Sequence, residues 1–156
     1  MKIQKRLGRL LAEKEISMAV AESCTGGLIG AEVTSVEGSS AYFSGGVIAY
    51  ENRVKRDVLG VSQKDLDAYG AVSSQVVKQM ASGVAKLLGC DCSVSVSGVA
   101  GPGGDSPEKP VGLVYTGAYY NNETISRRFV FSGSREQVRR QSVTAALEHL
   151  FHIINN

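Results

Sequence analysis

The stretch from Ile16 to Val33 constrains this chain more than any other. It opens with Ile16-Ser17-Met18-Ala19-Val20, short and apolar enough for a buried strand over 16–21. It closes with Leu28-Ile29-Gly30-Ala31-Glu32-Val33, which reads as a helix. Between them stands Ala21-Glu22-Ser23-Cys24-Thr25-Gly26-Gly27. A buried strand that turns straight into a helix opens an α/β sheet, and ligands gather outside the carboxyl ends of such strands. Ser23 falls at that end. The helix start offers free backbone N–H groups to an anion or a developing oxyanion. Gly26 and Gly27 let a ligand come close to the backbone. The same residues also suit a purely structural part, an N-cap serine before a glycine turn.

The rest of the chain continues the alternation of strand and helix. Ile3, Leu7, Leu10 and Leu11 share one helical face over residues 2–15. Gly45 to Tyr50 reads as the second strand, its continuous apolar run suited to burial on both faces. Asn52 can cap a short helix that holds Val54 and Val58, Ser62 a second one, and Ser73 or Ser74 a longer one ending at Gly89. Cys92-Ser93-Val94-Ser95-Val96-Ser97 alternates with period two and is the third strand. A glycine-rich loop, 98–104, follows. Val111–Tyr119 and Thr124–Phe131 make an antiparallel hairpin about Asn121-Asn122. Ser134 and Gln137 match a capping box for a last helix to about Ile153. The expected architecture is one domain over 1–156: a three-layer α/β/α sandwich with a mixed, mostly parallel sheet of five or six strands.

Composition narrows the function classes. The net charge of +2 makes no electrostatic case for nucleic acid or a membrane surface. No apolar run is long enough to span a bilayer, and the basic N-terminus is not followed by a signal-peptide core. Three cysteines, with Cys90 and Cys92 too close for ordinary zinc-ligand spacing, give neither a disulfide framework nor a metal site. A cytoplasmic chain without metal or cofactor is expected. The 18 glycines cluster at 26–30, 44–46 and 98–104, as tight turns around a site would. The hairpin 111–131 and the last helix offer a surface on which a homo-oligomer could form.

A serine needs a base to become a nucleophile. His149 and His152 both fall on the last helix and read as surface or packing residues. Lysine is the other available base. Tyr50 ends the second strand and Lys55 lies five residues on, so both can open onto the edge that carries Ser23. Such a lysine must be desolvated or lie near positive charge to lose its proton at neutral pH. Otherwise Tyr50 is a strand-end aromatic and Lys55 a solvated helix residue beside Arg53 and Arg56. Cys24 is a rival nucleophile, since a helix start lowers a thiol's pKa; residue types alone do not choose between Ser23 and Cys24. Gly98, Ala100, Gly101, Gly103 and Gly104 resemble a phosphate cradle without being a P-loop or a dinucleotide fingerprint. Arg139 and Arg140 are candidates for a phosphate clamp. Adjacent helical residues point about 100° apart, so at least one of the two faces solvent.

Several blocks together resemble the CinA C-terminal domain family: Ala21 to Gly27; Gly38-Ser39-Ser40; Tyr50 with Lys55 and Gly60-Val61; Gly70 to Ser73; Ser97 to Gly104; Lys109 to Gly112; and Arg139-Arg140-Gln141. They span nearly the whole chain. The resemblance implies a nicotinamide-nucleotide amidase, which hydrolyses the carboxamide of nicotinamide mononucleotide to nicotinate mononucleotide and ammonia in pyridine-nucleotide salvage. It implies a serine nucleophile helped by a lysine and a tyrosine, falling on Ser23, Lys55 and Tyr50. Cys24, Thr25, Gly26 and Gly27, with the 98–104 loop and the two arginines, would bind the nucleotide. The readings set against it are a non-catalytic nucleotide-binding module and a cysteine amidohydrolase built on Cys24.

Overall fold

β1 (Met18–Glu22) is buried along its whole length and lies at the centre of the molecule's parallel half. In the computed structural model, which describes residues 1–156, it pairs in parallel with β2 (Phe43–Ile48) on one side and β3 (Cys92–Gly98) on the other. β3 then pairs antiparallel with β4 (Leu113–Tyr120), and β4 with β5 (Glu123–Val130). The order is β2-β1-β3-β4-β5. The sheet is mixed: four strands run one way and β4 alone runs against them. Asn121 and Asn122 both take positive φ, at 53° and 61°, and turn the β4–β5 hairpin in two residues.

Helices cover both faces. α1 (Ile3–Lys14), α2 (Leu28–Thr34) and α6 (Arg135–Asn155) pack on one face, against Met18, Val20, Cys92, Val94, Val96, Val114 and Ala118. α3 (Asn52–Asp57), α4 (Gln63–Tyr69) and α5 (Ser74–Leu88) lie on the other side, where Ala19 and Ala21 meet Leu59, Leu66, Val76, Met80 and Val84. The alternation of side chains along β1 thus feeds two separate apolar clusters. Ser62, Ser73 and Ser134 each accept a backbone N–H at a helix start, and Ser134 with Gln137 completes the capping box.

Three details differ from the expectation. β2 begins at Phe43 and is an edge strand whose residues alternate between half-buried and exposed, so its apolar run does not mark burial on both faces. Tyr50 therefore lies two residues past the strand. Asn52 is the first residue of α3 and not its cap; Glu51 precedes the helix without a side-chain bond. In β3 the serine–valine alternation is not an outside–inside pattern, since Ser93 and Ser95 are fully buried. Their hydroxyls donate to the Ala81 and Val77 carbonyls of α5. Small hydroxyls let α5 lie close on the sheet. At Gly117 of β4 a Cβ would collide with the Val77 carbonyl, so only glycine permits this approach.

Candidate active site

Strand register decides which residues meet. Glu22 lies opposite Ile48 in β2 and Val96 in β3. The Ser23 N–H still donates to the Val96 carbonyl at 3.1 Å, and the Ala49 N–H to the Glu22 carbonyl at 2.7 Å. Ser23, Tyr50 and Ser97 therefore leave three neighbouring strands at one edge, the carboxyl end of the parallel strands. A cavity of about 260 Å³ opens there, lined by Ser23, Tyr50, Lys55, Ser97, the 98–104 loop and Arg135 among others.

Lys55 is the residue that defines the cavity's chemistry. It sits one turn into α3, is only 1% exposed, and donates from Nζ to Ser23 Oγ at 3.1 Å and to the Tyr50 carbonyl at 3.1 Å. No carboxylate accompanies it. Burial therefore lowers its pKa from 10.5 to about 8, against an opposing influence from the Cys24 thiol. A lysine in this state is neutral in an appreciable fraction of molecules near pH 7 and can accept a proton from the hydroxyl it touches. Cys24 also lines the cavity, but burial pushes its thiol up to about 11 despite Arg139 and Lys55 nearby. A thiol so placed stays protonated and is a poor nucleophile.

Tyr50 is at the mouth, 64% exposed. Its backbone carbonyl, and not its phenol, meets Lys55; the phenol lies 3.5 Å from Arg135. A proton shared between phenol and lysine has no counterpart in these contacts.

The chain matches the model of the CinA C-terminal domain over residues 1–154. It belongs to that family. It is 53% identical over 147 residues to a CinA-like protein of Trichodesmium erythraeum, an alignment covering 92% of this chain and 35% of the relative. It is 45% identical over 152 residues to a putative competence-damage inducible protein of Desulforudis audaxviator, covering 97% and 37%. The chain thus spans about a third of the length of these curated relatives. Among solved structures, the competence/damage inducible protein CihA of Agrobacterium tumefaciens superposes with a TM-score of 0.94 at 38% identity, covering 99% of this chain and 94% of that one. A CinA superfamily protein of Klebsiella pneumoniae gives 0.94 at 31% identity, covering 98% and 96%.

The residues expected to bind substrate in this CinA domain divide into two groups. Cys24, Gly98, Ala100, Gly103 and Gly104 line the cavity. Thr25, Gly26, Gly27, Gly101, Arg139 and Arg140 do not. The helix start expected to be open to an anion is already closed by one. The Glu22 carboxylate, 2% exposed, accepts from Thr25 Oγ1 at 2.6 Å and from the N–H groups of Gly27, Ile29 and Gly30 at 3.2, 2.9 and 3.0 Å. Gly101 uses its carbonyl to accept from Arg135 at 2.8 Å. Arg139 turns inward and donates to the Cys24 and Thr25 carbonyls. Arg140, one residue on and so rotated about 100°, stands half in solvent, 3.8 Å from Glu32.

The cation at the mouth is Arg135, which the sequence pattern absorbed into the opening of the last helix. Its signal was its place, one residue after a helix cap that follows directly on the sheet's end. Asn52, Ala71, Val72 and Ser97 also line the cavity; of these, all but Asn52 lie within blocks shared with the family. His149 is fully buried, shares a hydrogen bond with Thr116 Oγ1 at 2.8 Å and has no partner at Nε2. His152 contacts Arg127. Neither histidine lines the cavity.

Proposed function

We propose that this domain is a serine amidohydrolase that cleaves the carboxamide of nicotinamide mononucleotide to nicotinate mononucleotide and ammonia. The observation that carries the reading is the contact of 3.1 Å between Ser23 Oγ and the Nζ of a buried lysine whose pKa is lowered to about 8, at the wall of a cavity. Family membership supports the substrate class, since the family's enzymatic members act on this nucleotide.

In this reading neutral Lys55 takes the Ser23 hydroxyl proton as Oγ attacks the carboxamide carbon. The pyridinium ring withdraws electrons from that carbon and makes the amide a better acceptor. The carbonyl oxygen becomes an alkoxide, and the N–H of Cys24, which lines the cavity and has no backbone acceptor, receives it. Collapse of the tetrahedral species breaks the C–N bond, and Lys55 returns the proton to the leaving ammonia. Water, deprotonated by Lys55, then hydrolyses the acyl-serine. The Tyr50 carbonyl holds Nζ in place, and the exposed phenol faces the ring of the incoming substrate. Arg135, with Gly103 and Gly104 at the mouth, meets the 5′-phosphate. The cavity lies just below the usual range of roughly 300–1,000 Å³ for small-molecule sites, so it accepts the pyridine end while the ribose phosphate extends along the open mouth.

The test is ammonia release from nicotinamide mononucleotide by EDTA-treated protein, with Ser23→Ala alongside. Release by the parent and none by the variant supports the reading. Equal release by both removes Ser23 as the nucleophile, and no release by either removes the amidase.

A further inference from the structure

The lysine beside Ser23 stands on a helix that has little of its own to hold it. α3 is six residues long, and Lys55 is its only buried residue. Val54 is half-buried against the apolar cluster under α5, and the other four residues face solvent. Most helices in proteins are held by burial of an apolar face, and here that face is nearly missing. The grip comes just beyond the helix. Leu59 and Val61 are buried with Val76, Met80 and Val84 of α5. Gly60 takes a φ of +74°, and its N–H donates to the Arg56 carbonyl at 3.1 Å. The Val61 N–H donates to the Lys55 carbonyl at 3.0 Å. Helix and exit are therefore one piece, and the carbonyl of Lys55 itself is one of its joints.

Gly83 decides where that piece rests. It lies inside α5, where glycine makes a poorer helix than alanine. The contact across from it gives the reason. A Cβ at Gly83 would stand 1.9 Å from the Leu59 carbonyl oxygen and 2.9 Å from the carbonyl carbon. Non-bonded heavy atoms ordinarily meet at about 3.5 Å, so a side chain there would push the exit and α5 roughly 1.5 Å apart. At the other end of the same piece, Lys55 Nζ holds Ser23 Oγ and the Tyr50 carbonyl, both at 3.1 Å. A backbone shift of that size breaks such contacts and admits water to the amine. The other titratable groups around the cavity are the Cys24 thiol, the Tyr50 phenol and Arg135. None of them belongs to α5, and Arg53, Arg56 and Asp57 on α3 are exposed.

We infer that Gly83 is a positioning residue for the base: by letting the Leu59 carbonyl lie against α5, it seats α3 so that Lys55 reaches Ser23 shielded from water. The inference rests on the amidase reading for its chemistry and adds no step to it. Gly83 touches neither the substrate nor the reacting atoms. The seat sets the distance from Nζ to Oγ, and it excludes the water that would hold the lysine's proton. Both act on proton transfer and not on nucleotide affinity, so a loss appears in kcat.

The experiment compares wild type with Gly83→Ala and with Gly60→Ala. The second variant strains the exit at its positive φ, while its Cβ meets nothing within 4 Å. Two quantities are measured on folded protein. One is the pH profile of ammonia release from nicotinamide mononucleotide. The other is the titration of Lys55, followed by carbon NMR of protein labelled in its lysines, with the signal assigned by its loss in Lys55→Met. Wild type should titrate near pH 8. Gly83→Ala should move the kcat/KM limb and the NMR midpoint up together by about one pH unit, which lowers kcat about tenfold at pH 7 with KM within about twofold. Gly60→Ala should move both in the same direction by less. A glycine that only packs the fold would lower the melting temperature and leave limb and midpoint where they were; that result overturns the inference, as does a loss confined to KM. If Gly83→Ala does not fold, an unmoved midpoint in Gly60→Ala overturns it. If wild type releases no ammonia the amidase reading falls by itself, and the titration still decides. A raised midpoint in the variants then supports the seat; an equal one, or a wild-type midpoint at the ordinary 10.5, overturns it.

Discussion

Replacing Lys55 with methionine should abolish activity and yet stabilise the fold, by an amount that depends on pH. Burial lowers the Lys55 pKa from 10.5 to about 8. Each unit corresponds to about 1.36 kcal/mol, so the protonated lysine costs the native state about 3 kcal/mol below pH 8. The sign follows from proton counts. Between about pH 8 and pH 10.5 the unfolded chain still holds the proton that the native state has lost, so native stability rises with pH across that window. Methionine matches the shape of the stem and carries no charge. It also forfeits two hydrogen bonds, to Ser23 Oγ and to the Tyr50 carbonyl, at roughly 1 kcal/mol each. The variant should therefore be more stable by about 1 kcal/mol near pH 7. The difference should move by about 2 kcal/mol toward wild type between roughly pH 7 and pH 9.5, so that wild type becomes the more stable by about 1 kcal/mol, a change to which the lost hydrogen bonds contribute little. Urea unfolding of both proteins across that range measures the gap, and ammonia release at each pH gives activity. A gap that stays constant with pH would refute the argument, because Lys55 would then carry its ordinary proton in the fold.

Four further outcomes follow from the same site and core. For wild type, kcat/KM should rise about tenfold per pH unit below a limb near pH 8 and level off above it, as the neutral lysine becomes the main form; a pH profile flat from about 6 to 9 would exclude this base. Cys24→Ser should keep activity within several-fold, and iodoacetamide should not inactivate wild type, since the thiol sits at about 11. Gly26→Ala should lose roughly 1–2 kcal/mol of stability in urea, from the positive φ and the crowding against Arg139. Burial holds His149 at about 4, below the usual 6.5, so the unfolded chain binds the extra proton between those values and stability falls as pH drops through them. The loss amounts to about 3 kcal/mol at most, and His149→Leu should flatten that part of the acid unfolding curve.

Much of this was legible in the chain because the elements are short and sharply punctuated. The Ser62, Ser73 and Ser134 caps and the Asn121-Asn122 turn place the helices and the hairpin correctly, since each depends on chemistry within four residues. The nearness of Ser23 and Lys55 was legible only through the strand–turn–helix unit and an assumed pairing of β1 with β2, which the register bears out. Tertiary context decided the rest. An apolar edge strand and a central one look alike when an exposed Ile48 counts the same as a buried one. Arg139 and Arg140 carry identical side chains, and only the rotation of α6 assigns one to the Ser23 turn and the other to solvent. Glu22 gave no signal of its own, because most of its donors are backbone N–H groups with no residue-type signature.

That carboxylate also bears on why the lysine is left uncompensated. Glu22 immediately precedes Ser23 in the chain, and an acid free to pair with Lys55 would raise the lysine's pKa and hold its proton at pH 7. Four donors from the α2 start occupy its oxygens instead. β1 is buried on both faces, so successive residues at its end point to opposite sides: Glu22 toward α2, Ser23 toward α3 and Lys55. The alternation of a single strand thus separates the acid that fixes the turn from the base that works on the serine. A one-residue slip of β1 would exchange the two faces, pair Lys55 with the carboxylate and remove the base. Insertion of one alanine between Val20 and Ala21 should therefore abolish ammonia release even in molecules that still fold, and a folded insertion mutant that keeps wild-type turnover would contradict this account of how the strand's parity serves the site.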